Sequence, residues 1–160
     1  MKFLFWLLFI SFLQPSCTKK EDISNIPTIE FKGLSKKSMK QGALNEDSLF
    51  LKFSFKDGDG DLGYGSTNPQ KDIVVIDKRT GLIQDQYKLP DLPPSNGNPM
   101  SGTAEILIFT TCCLFPQGIP PCESPPQYPI DTLIYELYIR DKSGNESNHI
   151  LSEFVILNCK

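Results

Sequence analysis

Residues 48–56 read Ser48-Leu49-Phe50-Leu51-Lys52-Phe53-Ser54-Phe55-Lys56. Leu49, Leu51, Phe53 and Phe55 fall on one side of an extended chain and Phe50, Lys52 and Ser54 on the other, which is the period-two pattern of a half-buried β-strand. The pattern returns over residues 133–140, where Leu133, Tyr135, Leu137 and Ile139 share a face. Shorter apolar runs predict further strands over 28–34, 72–77, 82–88, 103–110 and 150–157. No stretch sustains a helical period of 3.6. About seven short strands with Pro and Gly between them predict an all-β domain built as a β-sandwich.

The chain has 160 residues, enough for one domain once a leader is set aside. Its net charge is −3, and its notable basic cluster, Lys36, Lys37 and Lys40, lacks interleaved aromatics. A nucleic-acid partner requires a broad basic face, so that class is excluded.

The compartment is read from the first residues. Lys2 precedes an apolar run, Phe3 to Leu13, broken by Ser11. At about 11 residues the run is too short to cross a bilayer and fits the apolar region of a secretion signal. Gln14-Pro15-Ser16 then leads into Cys17. A small residue directly before this cysteine resembles the lipobox of bacterial lipoproteins. Leu13 lies one position further from the cysteine than in the commonest box, a looseness that Bacteroidetes-type lipoproteins tolerate. The resemblance implies a signal peptide over 1–16, a covalent diacylglycerol on Cys17, a lipidated tether over 17–25 and a folded domain over 26–160. The membrane is then a partner through the anchor, because each buried CH₂ contributes about 0.8 kcal/mol. An ordinary cleaved signal with Cys17 as a thiol is the alternative. The Lys20-Glu21-Asp22 step resembles the export signal of surface-displayed outer-membrane lipoproteins, and any solvated linker also looks like this.

Near the carboxyl end, residues 141–147 read Asp-Lys-Ser-Gly-Asn-Glu-Ser between two expected strands, a good hairpin connection. With Tyr138-Ile139-Arg140 before it, this phrase is similar to the final hairpin of bacterial immunoglobulin-like domains. Together with residues 53–63 it resembles small Bacteroidetes-type surface lipoproteins. The resemblance implies an immunoglobulin-like β-sandwich.

Two constellations carry chemistry. The first is Asp57-Gly58-Asp59-Gly60-Asp61-Leu62-Gly63. Carboxylates at alternate positions between glycines can curl until their oxygens converge, as a hard cation such as Ca²⁺ requires. This is not an EF-hand loop, because Leu62 stands where that loop needs Gly and Asn68 where it needs Glu. A solvated turn is the competing reading, since Asp and Gly both favour turns. If the strands alternate in direction, this loop and the 141–147 hairpin share one pole, and Asp141, with the side chain of Asn145, is placed to complete a structural Ca²⁺ site.

The second is the cysteines. With Cys17 lipidated, Cys112, Cys113, Cys122 and Cys159 remain, an even number in an exported domain, which predicts disulfides. Vicinal Cys112 and Cys113 rarely bridge each other. Two connectivities stay open, each joining one of that pair to Cys122 and the other to Cys159. The proline-rich segment 114–129 would then be a stiff loop, with Phe115, Ile119 and Tyr128 as candidate apolar anchors for a protein or glycan partner, or else a cap on the end of the sandwich.

The single histidine, His149, has no nucleophile motif near it. The expected function is therefore a noncatalytic, lipid-anchored binding or adhesion module of the cell envelope. A structural accessory subunit of an uptake or secretion assembly is the alternative.

Overall fold

A computed structural model describes residues 23–93 and 95–160. The expected signal peptide, Cys17 and most of the tether lie outside the described residues. Within them the chain is all-β: β1 Thr28–Leu34, β2 Ser38–Lys40, β3 Ser48–Asp57, β4 Ile73–Asp77, β5 Leu82–Tyr87, β6 Met100–Phe109, β7 Ile130–Leu133, β8 Tyr135–Ile139, β9 Ile150–Leu151 and β10 Val155–Asn158. Among the described residues no helix is long and apolar enough to cross a membrane.

The strands form three sheets, in the orders β1-β3-β6, β2-β10-β7 and β5-β4-β8-β9. The arrangement around one core is consistent with a β-sandwich. β3 is the spine of the first sheet, pairing antiparallel with β6 from Ser48↔Phe109 to Asp57↔Met100. On its other side β1 pairs antiparallel from Thr28↔Lys56 to Leu34↔Leu51, with a bulge between Phe31 and Gly33. As the alternation requires, Leu49, Leu51, Phe53 and Phe55 are buried, while Phe50 is 48% exposed. They meet Tyr135, Leu137 and Ile139 of β8 and Leu157 of β10 in one apolar cluster.

Two expectations are corrected. The strands number ten among the described residues, not seven. Each of the last two expected strands is two: residues 133–140 divide after Leu133 between β7 and β8, and residues 150–157 divide between β9 and β10. In both cases the halves belong to different sheets, so the chain switches layers mid-run. The pairings among the expected strands are all antiparallel, as alternation of direction requires, and the parallel pairing of β2 with β10 brings in a strand that was not expected.

The two poles nevertheless fall as expected. The end of β3 at Asp57 and the hairpin after β8 meet at one pole, where Leu62 and Asp141 form an isolated bridge. The cysteines gather at the other, joined as Cys112–Cys122 and Cys113–Cys159. Gln41 fixes that end: its Nε2 donates to the carbonyls of Cys159 and Glu123, and its Oε1 accepts from the Cys113 amide.

Candidate metal centre

The acidic loop begins where β3 ends. Asp57 is the last residue of that strand and is fully buried. Beyond it the backbone must turn sharply, and Gly60 and Gly63 take φ values of 67° and 78°, a left-handed region that favours glycine. Gly58 serves a different purpose. A Cβ there would stand 2.3 Å from the Ile23 carbonyl oxygen, because the incoming chain crosses directly over it. The Gly58 amide donates to the Ser24 carbonyl at 2.8 Å.

This curl brings one carboxylate oxygen from each of Asp57, Asp59 and Asp61 to within 4.8 Å of the others. One oxygen in each of two of them is held in place by hydrogen bonds. Asp57 Oδ2 accepts the Asp61 amide at 2.9 Å, and Asp61 Oδ2 accepts the Ser143 amide and hydroxyl at 3.1 and 2.7 Å. The Oδ1 atoms of all three are buried and have no hydrogen-bond partner. Buried acceptors are seldom left this way, since desolvation without a partner costs about 1–3 kcal/mol, and more for a charged group. Burial, followed by the charge of Asp59, raises the Asp57 carboxyl from 3.8 to about 6; the Asp61 amide opposes the rise, and the charges of Asp61 and Asp141 add to it.

A hard cation would find in this loop negative charge, converging oxygens and no competing donor. Asp141 is not one of the converging residues. Its Oδ1 accepts the Asn145 amide at 2.7 Å and its Oδ2 the Asn145 side-chain amide at 2.8 Å, so its carboxylate shapes the hairpin instead of facing the cluster. Asn145 gives its backbone and side-chain N–H donors to that same carboxylate. Topology brings Asp141 to the right pole, and hydrogen bonding turns it to another task.

Two supporting residues have no signal in the sequence. Ser143 reaches Asp61 across 82 positions, and Ser95 donates to the Gly60 carbonyl at 2.8 Å from the loop that precedes β6. Serines in turns are commonplace, and only the tertiary fold selects these.

The expected partner loop lies at the opposite pole, beside the two bridges. Phe115 packs partly buried against the core, and its ring lies 6.1 Å from that of Tyr128. Ile119 is half-buried as well. Phe115 thus helps to close the end of the domain, while Leu114 and Ile130 are the exposed large apolar groups near it. His149 stacks on Tyr138 with ring centroids 4.5 Å apart. Its Nδ1 faces Glu136 at 2.5 Å and its Nε2 faces Glu146 at 2.9 Å, and these hydrogen bonds raise its pKa.

Comparison with known protein families, with curated proteins and with solved structures returns no match in any of the three.

Proposed function

We propose that this chain is a noncatalytic, lipid-anchored binding or adhesion module of a bacterial cell envelope, an immunoglobulin-like sandwich whose Asp57, Asp59 and Asp61 carboxylates hold a structural Ca²⁺. The observation that carries the metal reading is that Asp57, Asp59 and Asp61 each bring one carboxylate oxygen within 4.8 Å of the others, while the Oδ1 of each is buried and partnerless. Fully buried Asp57 matters most, since an ionised carboxylate in that position requires a positive partner, and no Lys or Arg supplies a hydrogen bond to it among the described residues. Support for the address comes from the apolar leader and Cys17, and the two bridges suit an oxidising compartment.

Thermal melts across a Ca²⁺ titration test the site. Wild type should rise in Tm and saturate, the stabilisation reaching about 2.7 kcal/mol at a hundredfold excess over Kd. Asp59→Ala, which removes one converging oxygen, should not respond. An absent shift in wild type, or an equal shift in Asp59→Ala, removes the site. Mass spectrometry of protein from native membranes tests the anchor: an unacylated chain that retains residues 1–16 refutes it.

A further inference from the structure

The loop that precedes β6 reads Ser95-Asn96-Gly97-Asn98-Pro99. Asn96 and Gly97 take φ values of 54° and 76°, and the Asn98 amide donates to the Ser95 carbonyl at 3.1 Å. Residues 95–98 are therefore a turn with both central residues left-handed, the form that Asn-Gly favours. We propose that Asn96 is a site of spontaneous modification, converting in the folded protein to aspartate and isoaspartate ahead of every other asparagine of the chain. The inference stands apart from the metal reading and adds a slow chemical change at the same pole.

The step is an attack by the Gly97 backbone nitrogen on the side-chain Cγ of Asn96. A bond forms between them, the bond from Cγ to Nδ2 breaks, and ammonia leaves with the proton that Gly97 gives up. Water then opens the five-membered imide. Opening at the Cγ carbonyl gives aspartate. Opening at the main-chain carbonyl gives isoaspartate, whose backbone runs through Cβ and Cγ. Ammonia and water complete the balance.

A side chain on the following residue ordinarily crowds this approach, and glycine has none. The space beside Gly97 is open as well, since a Cβ there would meet nothing within 4 Å. Both residues are exposed, so water reaches the imide. The Gly97 amide donates to Ser95 Oγ over a long 3.3 Å, and no hydrogen bond engages the Asn96 side chain among the described residues.

The other asparagines lack this combination. Asn68 and Asn98 precede prolines, which have no N–H to give up. Asn145 and Asn148 have their side chains bonded, to Asp141 and to Ile29. Asn158 lies in β10 with its side-chain amide on Ser38 and Met39. Asn25 and Asn45 are followed by Ile26 and Glu46, whose side chains crowd the nitrogen.

The product would be felt at the acidic loop. A Cβ on Gly60 would stand 2.3 Å from the Asn98 carbonyl oxygen and 2.4 Å from the Ser95 Cβ, so the turn packs directly on that loop. The Ser95 hydroxyl bonds it there, donating to the Gly60 carbonyl at 2.8 Å. Isoaspartate lengthens the main chain of the turn by one carbon. It also adds a carboxylate to the cavity that Asn96 lines together with Asp59 and Asp61.

The test is ageing of wild type and Asn96→Gln at body temperature in mildly alkaline buffer, both folded and in guanidinium. Reduction and tryptic digestion below neutral pH then release peptide 89–140, in which Asn96 and Asn98 are the asparagines, for mass spectrometry. An isoaspartyl methyltransferase reports the abnormal linkage. Folded wild type should gain the mass of an amide-to-acid exchange at residue 96 before any other asparagine changes, accept methyl groups, and melt below fresh protein. Asn96→Gln aged alike should show none of these, because the larger ring that glutamine must form closes far more slowly. First modification at another asparagine, or an Asn96 that changes in guanidinium and not in the folded chain, overturns the proposal. An aged form that melts with the fresh protein overturns the claimed reach to the acidic loop.

Discussion

Replacing Asp57 by Asn should stabilise the metal-free protein and destabilise the metal-bound one relative to wild type. The Asp57 carboxyl titrates at about 6 in the folded chain against 3.8 ordinarily, chiefly because it is buried. A folded pKa above the unfolded one means that the folded chain prefers the protonated group. The penalty for ionisation is therefore complete above 6, shrinks as pH falls through that value, and is gone below 3.8. The shift corresponds to about 3 kcal/mol at neutral pH. The amide introduced by Asp57→Asn would keep an acceptor for the Asp61 amide, but a neutral one, returning about 1 kcal/mol of that gain. In EGTA at pH about 7.5, Asp57→Asn should thus be more stable by about 1–2 kcal/mol, and near pH about 5 the difference should narrow. Saturating Ca²⁺ should reverse the order, since only wild type offers the full charge. Urea unfolding by circular dichroism at both pH values, with and without Ca²⁺, measures all four differences. Wild type equal to or more stable than Asp57→Asn in EGTA at the higher pH would refute the claim that this carboxylate is under electrostatic stress.

Two further outcomes follow from features away from the loop. The bridges close segments of 46 and 10 residues, so in the chain-entropy treatment replacing Cys113 and Cys159 with Ala should cost about 4 kcal/mol, and replacing Cys112 and Cys122 about 2.7 kcal/mol. Urea unfolding of the two double variants checks the order, and a reversed order would show that native packing outweighs loop closure. His149 is raised above 6.5 by its bonds to Glu136 and Glu146. Its contribution should be full below 6.5 and lost as pH rises through the higher folded value, so the wild-type stability advantage over His149→Gln should disappear on the alkaline side. An NMR titration placing the imidazole at or below 6.5 would contradict this.

What the sequence discloses is mostly what is local. The alternation in β3 depends on neighbours two positions apart and survives intact in the fold. The layer switches at 133–135 and 151–155 are hidden by the same regularity: Leu133 and Tyr135 are both buried on either side of the break, so the apolar period runs on while the hydrogen-bonding partner changes. β2 leaves no pattern to read because it is three residues long and contributes one core side chain, Met39, between Ser38 and Lys40. The start of β6 is obscured by Gly102, which looks like a strand breaker. There the absence of a side chain makes room for Phe55, whose Cζ would lie 2.7 Å from an added Cβ. The acidic triplet is legible because its geometry is set within five residues. The commitment of Asp141 to Asn145 is equally local, yet a carboxylate that caps its own hairpin and one that awaits an ion read alike until hydrogen bonds can be traced.

The crossing of Ile23 and Ser24 over Gly58 has a mechanical meaning. Tension on the amino-terminal segment reaches the domain at the acidic pole and passes into β1, whose ladder to β3 runs away from that pole toward the bridges. A force applied between that segment and the bridged end would therefore load the rungs of that ladder side by side, in shear, and not peel them apart one at a time. Among the described residues, the backbone clasp at Gly58 is the first joint such a force would meet.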